Sequence, residues 1–94
     1  MQNPEKIKQA RILLCKYLAD VAREKNITHE QIAEKTGFDR SNVTRMLSGK
    51  YSPTLDNFMK LAEACDVYFF IIDKDADHEL VELMKNRWGY IFSS

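Results

Sequence analysis

The feature that most constrains this chain is a pair of helix-boundary signals compressed into residues Thr28 to Gly49. Thr28 followed by Gln31 is a capping box: the hydroxyl accepts from the N3 backbone N–H while the Gln side chain returns to the Thr28 N–H. Ile27 and Ile32 occupy the N′ and N4 positions of a hydrophobic staple. Gly37, suited to left-handed backbone, closes this helix after barely two turns. Asp39 then stands as the N-cap of a second helix, Phe38 and Val43 repeat the staple, and Ser48-Gly49 ends it. Helices this short are not stable in isolation. They must be held against each other and against a common core.

The flanking sequence supplies that core. Asn3-Pro4 starts a long helix, since Asn caps free N–H groups and Pro loses nothing at the first helical position. Ile7, Ala10, Leu14, Tyr17, Leu18 and Val21 recur at three- and four-residue steps, which predicts one apolar stripe on a helix reaching about Lys25. Lys6, Lys8, Lys16, Arg23 and Lys25 take the other face. Lys50-Tyr51-Ser52-Pro53 reads as a loop, and Thr54 caps a fourth helix with Leu55, Phe58, Leu61, Ala62 and Cys65 toward the core.

After Asp66 the pattern changes. Val67 to Ile72 is a β-branched and aromatic run of strand length. A lone strand leaves its backbone unpaired. The economical partner is the same strand of a second molecule across a twofold axis, which would make Tyr68, Phe69, Phe70, Ile71 and Ile72 a dimerisation element. The alternatives are a continued helix or pairing with Tyr90-Ile91-Phe92 of the same chain. Leu80, Val81, Leu83 and Met84 predict a short terminal helix. The expected fold is therefore mainly α: a helical bundle over residues 1–66, with residues 67–94 adding one C-terminal β-strand and the short helix as an extension of the same domain.

Two short capped helices joined by a Gly-containing turn form a helix-turn-helix pattern, in which the tight turn sets the crossing angle and lets the second helix project into a DNA groove. Ala33, small and central in the first helix, permits the close approach that such a crossing needs. From Ile27 to Gly49 the chain resembles the Cro/C1-type, lambda-repressor-like helix-turn-helix family, with Ala33, Gly37, Val43, Gly49 and Pro53 in the family's order. The likeness runs on through Thr54-Leu55 to Leu61-Ala62 and covers about residues 8–67. It implies a lambda-repressor-like bundle that binds double-stranded DNA. It also implies that Arg40, Ser41 and Asn42 meet base edges, that Thr44 and Arg45 reach bases or flanking phosphates, and that Lys50 and Tyr51 hold the backbone. His29 stands where the family often has a phosphate-binding Gln, and Leu47 where an acidic residue is frequent; Leu47 is expected to serve packing. The chemistry fits. Arg pairs bidentately with guanine and Asn with adenine, while Ser, Thr, Lys and Tyr suit phosphate oxygens.

Composition narrows the function further. Ninety-four residues make a single domain. No apolar run reaches the length of a membrane span. The N-terminus lacks the order of a secretion signal, so a cytoplasmic protein is expected. Cys15 and Cys65 fall at apolar-periodic positions and read as buried free thiols. His29 and His78 lack partners at ligand spacing, so neither a metal nor any cofactor is expected. No triad or phosphate-cradling loop suggests an enzyme. The formal charge is zero, but residues 1–60 hold 11 Lys/Arg against 7 Asp/Glu, net +4, and residues 61–94 hold 3 against 7, net −4. That division suits a basic working face and an acidic back. The expected function is a dimeric transcriptional repressor on a palindromic operator. The alternative is an antitoxin that also represses its own operon, because some helix-turn-helix antitoxins are similar in the strand after the fourth helix. The acidic C-terminal third and the tail Trp88 to Phe92 would then bind a toxin protein. A protein-binding module without DNA is the reading that zero net charge favours.

Overall fold

A computed structural model describes residues 3–69 and 71–88, the last by its backbone alone. Among these residues there are five helices: α1 (Pro4–Glu24), α2 (His29–Thr36), α3 (Arg40–Leu47), α4 (Leu55–Ala64) and α5 (His78–Trp88). The chain divides into two compact units, Arg11–Phe69 and a second joining the first ten residues to those from 70 onward.

In the first unit, α2 packs on α3 and α4. Leu18, Ala22, Ile32, Val43, Met46, Leu47, Leu61, Ala62, Ala64 and Cys65 form the buried core, with Ile27, Ala33, Phe38, Phe58 and Val67 against it. Both residues before the N-caps, Ile27 and Phe38, thus reach this core beside Ile32 and Val43. Leu47 is 3% exposed, so its place is in packing.

The start signals hold with one difference. Asn3 Oδ1 accepts from Glu5 N at 2.9 Å at the head of α1. Thr28 Oγ1 accepts from Gln31 N at 3.1 Å and Gln31 Oε1 from Thr28 N at 2.9 Å, completing the capping box. Thr54 accepts from Asn57 N at 3.1 Å. Asp39 holds the N-cap position of α3, but its side chain makes no capping bond.

α1 buries a face that only partly matches the one its large residues outline. Leu18 of the expected stripe is buried and Ala10, Tyr17 and Val21 are half-buried, whereas Ile7 and Leu14 are exposed. The other buried residues, Cys15 and Ala22, each stand one position beyond an expected one, roughly 100° round the axis. The small residues Cys15 and Ala22 are buried, and Ala19 packs against the core. Leu55 is likewise exposed, because it opens α4 one turn before that helix's first core contact, Phe58.

Two helix ends are closed by residues other than glycine. Asn26 and Asp66 have φ of 59° and 60°. Each sits in a Schellman motif: Ile27 N donates to Ala22 O and Asn26 N to Arg23 O after α1, and Val67 N donates to Ala62 O and Asp66 N to Glu63 O after α4. Lys25 Nζ joins the two ends by donating to Asp66 O at 2.9 Å and Cys65 O at 3.4 Å. Its charge satisfies the last carbonyls of α4, where a cation is favoured.

The C-terminal β-strand expected over Val67 to Ile72 is not present: the described residues of this segment form no regular element, and no strand occurs among the described residues. Asp66, at φ 60°, turns the chain out of α4, and among the described residues no backbone pairs with the segment as a ladder. Phe69 packs edge-to-face on Phe58 of α4, centroids 5.4 Å apart. Tyr68 and Ile71 are 94% and 92% exposed, and Ile72 is half-buried. Phe70 and the tail beyond Trp88 lie outside the described residues.

In the second unit, Asp73 Oδ1 accepts from Asp75 N and Ala76 N at 2.8 and 3.3 Å, a turn that leads into α5. The expected terminal helix is thus present. Val81 and Met84 are half-buried on it, while Leu80 and Leu83 are exposed.

Both thiols are free and buried. Burial pushes the Cys15 thiol up, against the opposing charge of Arg11, and the Cys65 thiol up, against Lys25 and Lys35. Neither has the character of a nucleophile.

Candidate nucleic-acid interface

α2 ends where Gly37, at φ +80°, donates its N–H to Ala33 O, and three residues later α3 begins. α3 turns Val43, Met46 and Leu47 inward. The same helical period puts Arg40, Ser41, Thr44 and Arg45 on the exposed face. That division follows from the core, because three apolar residues on one side of an eight-residue helix leave the polar ones no other place.

The polar side chains are tied to one another. His29 Nδ1 lies 2.8 Å from Thr44 Oγ1. The Thr44 hydroxyl also donates to Arg40 O at 3.2 Å. The His29–Thr44 bond links the first residue of α2 to the middle of α3. Arg40 Nη1 stands 3.8 Å from Glu30 Oε1, a second link between the helices. It is exposed and contributes only about 0–1 kcal/mol.

Arg45 has a firmer setting. Its Nη2 donates to Asn42 Oδ1 at 2.6 Å, and its guanidinium carbon lies 5.7 Å from the centre of the Tyr51 ring. The loop after α3 is shaped to bring Tyr51 there: Ser48 Oγ donates to Arg45 O at 2.7 Å and accepts from Lys50 N at 3.3 Å. Ser41 and Lys50 are exposed.

The structure therefore gathers His29 with Thr44, and Arg45 with Asn42 and Tyr51. These groupings were not read from the sequence. The Asn42–Arg45 pair had a local signal, since residues three apart share a helix face. The His29–Thr44 bond spans fifteen residues and had none. Of the residues grouped as a dimerisation element, Tyr68 and Ile71 are exposed and Phe69 packs on Phe58.

No group of His, Cys, Asp and Glu among the described residues is arranged to hold a metal ion. Among the described residues no helix is long and apolar enough to cross a membrane.

A family model described as Helix-turn-helix matches residues 18–72, more than half of the chain. No curated protein and no solved structure is similar enough to the chain to match it. The matched residues take in all of α2, α3 and α4, the helices that build the exposed polar face of α3, and on that ground the chain belongs to the Cro/C1-type helix-turn-helix family of DNA-binding transcription regulators.

Proposed function

We propose that this protein binds duplex DNA sequence-specifically by placing α3 in the major groove, and that it represses transcription as a dimer on a palindromic operator. The observation that carries the reading is the exposed face of Arg40, Ser41, Thr44 and Arg45 on a helix anchored by three buried residues. Such a face presents hydrogen-bonding groups to base edges without disturbing the fold. Arg40, Ser41 and Arg45 are the base-reading candidates, with Asn42 and Thr44 beside them. His29, Lys50 and Tyr51 flank them at positions suited to phosphate. The net +4 of residues 1–60 favours that approach.

The dimer is supported by the chemistry of the segment after α4. Tyr68 and Ile71 are large, apolar and almost wholly exposed, and covering such side chains favours association. Two protomers would set their α3 helices about 34 Å apart, one turn of DNA.

A second reading adds a toxin-binding role for residues 67–94. One observation favours it: α5 exposes Leu80 and Leu83 among Glu79 and Glu82, an apolar and acidic surface with the character of a protein contact.

Selection from a random duplex library tests the main reading. The expected outcome is an inverted-repeat consensus, bound by two protomers and weakened steeply by salt. Folded protein that enriches no duplex excludes sequence-specific binding by the chain alone. Enrichment of a single half-site bound by one protomer excludes the dimer.

A further inference from the structure

The polar face of α3 does not offer all its groups equally. For an Asn to read adenine, its carboxamide must use both ends, Oδ1 accepting from N6–H and Nδ2 donating to N7. In this protein Asn42 Oδ1 already accepts from Arg45 Nη2 at 2.6 Å, and Asn42 is half-buried while Arg45 is exposed. Thr44 is engaged as well, its hydroxyl donating to Arg40 O and hydrogen-bonded with His29 Nδ1.

Arg45 differs. A guanidinium has five N–H donors in a planar fork. One is spent on Asn42, and the others remain. The Tyr51 ring lies 5.7 Å from its carbon, within the range of a cation–π contact. A long side chain ordinarily gives up rotamer freedom when it binds. One held by a carboxamide in the preceding turn and an aromatic ring in the following loop has given up much of that freedom before DNA arrives.

We propose that Arg45, aimed by Asn42 and Tyr51, reads a guanine of the operator, and that Asn42 is a positioning residue that reads no base. The proposal rests on the reading that α3 enters the major groove.

The test is the base preference selected by wild type, Arg45→Ala, Asn42→Ala and Asn42→Asp from the same random duplex library. Arg45→Ala is expected to lose the preference for one guanine, by about 5- to 150-fold. Asn42→Ala should weaken the preference at that same position, by roughly threefold to tenfold, and at no other. Asn42→Asp keeps an acceptor for Arg45 but cannot donate to adenine, so it should retain the guanine whatever it does to overall affinity. Circular dichroism confirms that each variant is folded. The assignment is overturned if Asn42→Ala relaxes an adenine elsewhere in the site, or if Arg45→Ala weakens all duplexes evenly, as loss of a phosphate contact would. A wild-type protein that selects no duplex at all removes the groove reading itself, and the guanine assignment with it.

Discussion

Arg40→Ala/Arg45→Ala is expected to lose about 2–6 kcal/mol of binding to the selected duplex, roughly thirtyfold to twenty-thousandfold in Kd. The estimate takes about 1–3 kcal/mol for each bidentate arginine–guanine pair and treats the two as independent. The fold should not change. Arg40 and Arg45 are exposed, and the Arg40–Glu30 pair at 3.8 Å contributes little to stability. A melting temperature within a few degrees of wild type, beside a Kd raised by this margin in a fluorescence-anisotropy titration, is the expected pattern. The salt slope adds a distinction. Residual binding should keep most of its salt dependence, because phosphate contacts set that slope at about 0.9 per contact. A slope reduced by two contacts with little change in base preference would place both arginines on the backbone instead.

The second large effect concerns stability. Gly37 and Gly49 have nearly the same backbone, φ +80° and +77°, but different surroundings. A Cβ at Gly37 meets nothing within 4 Å, whereas one at Gly49 would stand 3.3 Å from both Cα and Cγ2 of Ile12 in α1. Both substitutions carry the left-handed strain of a non-glycine residue, about 1–2 kcal/mol. Only Gly49 adds a clash with a backbone atom that cannot rotate away, of the order of 1–3 kcal/mol. Gly49→Ala is therefore expected to cost about 2–5 kcal/mol and lower the Tm by roughly 10–40 °C, against about 1–2 kcal/mol for Gly37→Ala. Denaturant melts of the two variants decide the matter. Equal losses would mean that α1 does not pack on the turn after α3. Since that turn leads directly to Lys50 and Tyr51, Gly49→Ala should also disturb the Arg45–Tyr51 contact.

The parts of this fold that could be read from the sequence are those written locally. Thr28 and Gln31 sit within one turn of each other, and the bonds they predict are the bonds that form. The α3 stripe of Val43, Met46 and Leu47 was legible for the same reason: on a short helix the apolar period has one solution. Features that depend on distant partners were not. On α1 the larger residues outlined one stripe, of which Leu18 is buried, but Ile7 and Leu14 are exposed and the small Cys15 and Ala22 are buried in their place. Asn26 and Asp66 close helices in left-handed backbone, a role that glycine signals more plainly. The run from Val67 to Ile72 has strand composition, but composition supplies no partner, and Phe69 spends its ring on Phe58 instead. At the candidate site the residues were identifiable one by one. The pairing of Arg45 with Asn42 depends on side-chain direction, which spacing alone does not decide.

The most direct test of α3 as the DNA-contacting element is a ¹H–¹⁵N chemical-shift titration of the labelled protein with its selected duplex. The expected result is that the largest changes fall on His29, on Arg40 to Arg45, and on Lys50 and Tyr51, with α5 little affected. Large changes along His78 to Arg87, with Arg40 to Arg45 unmoved, would contradict it and place the contact surface in the C-terminal helix.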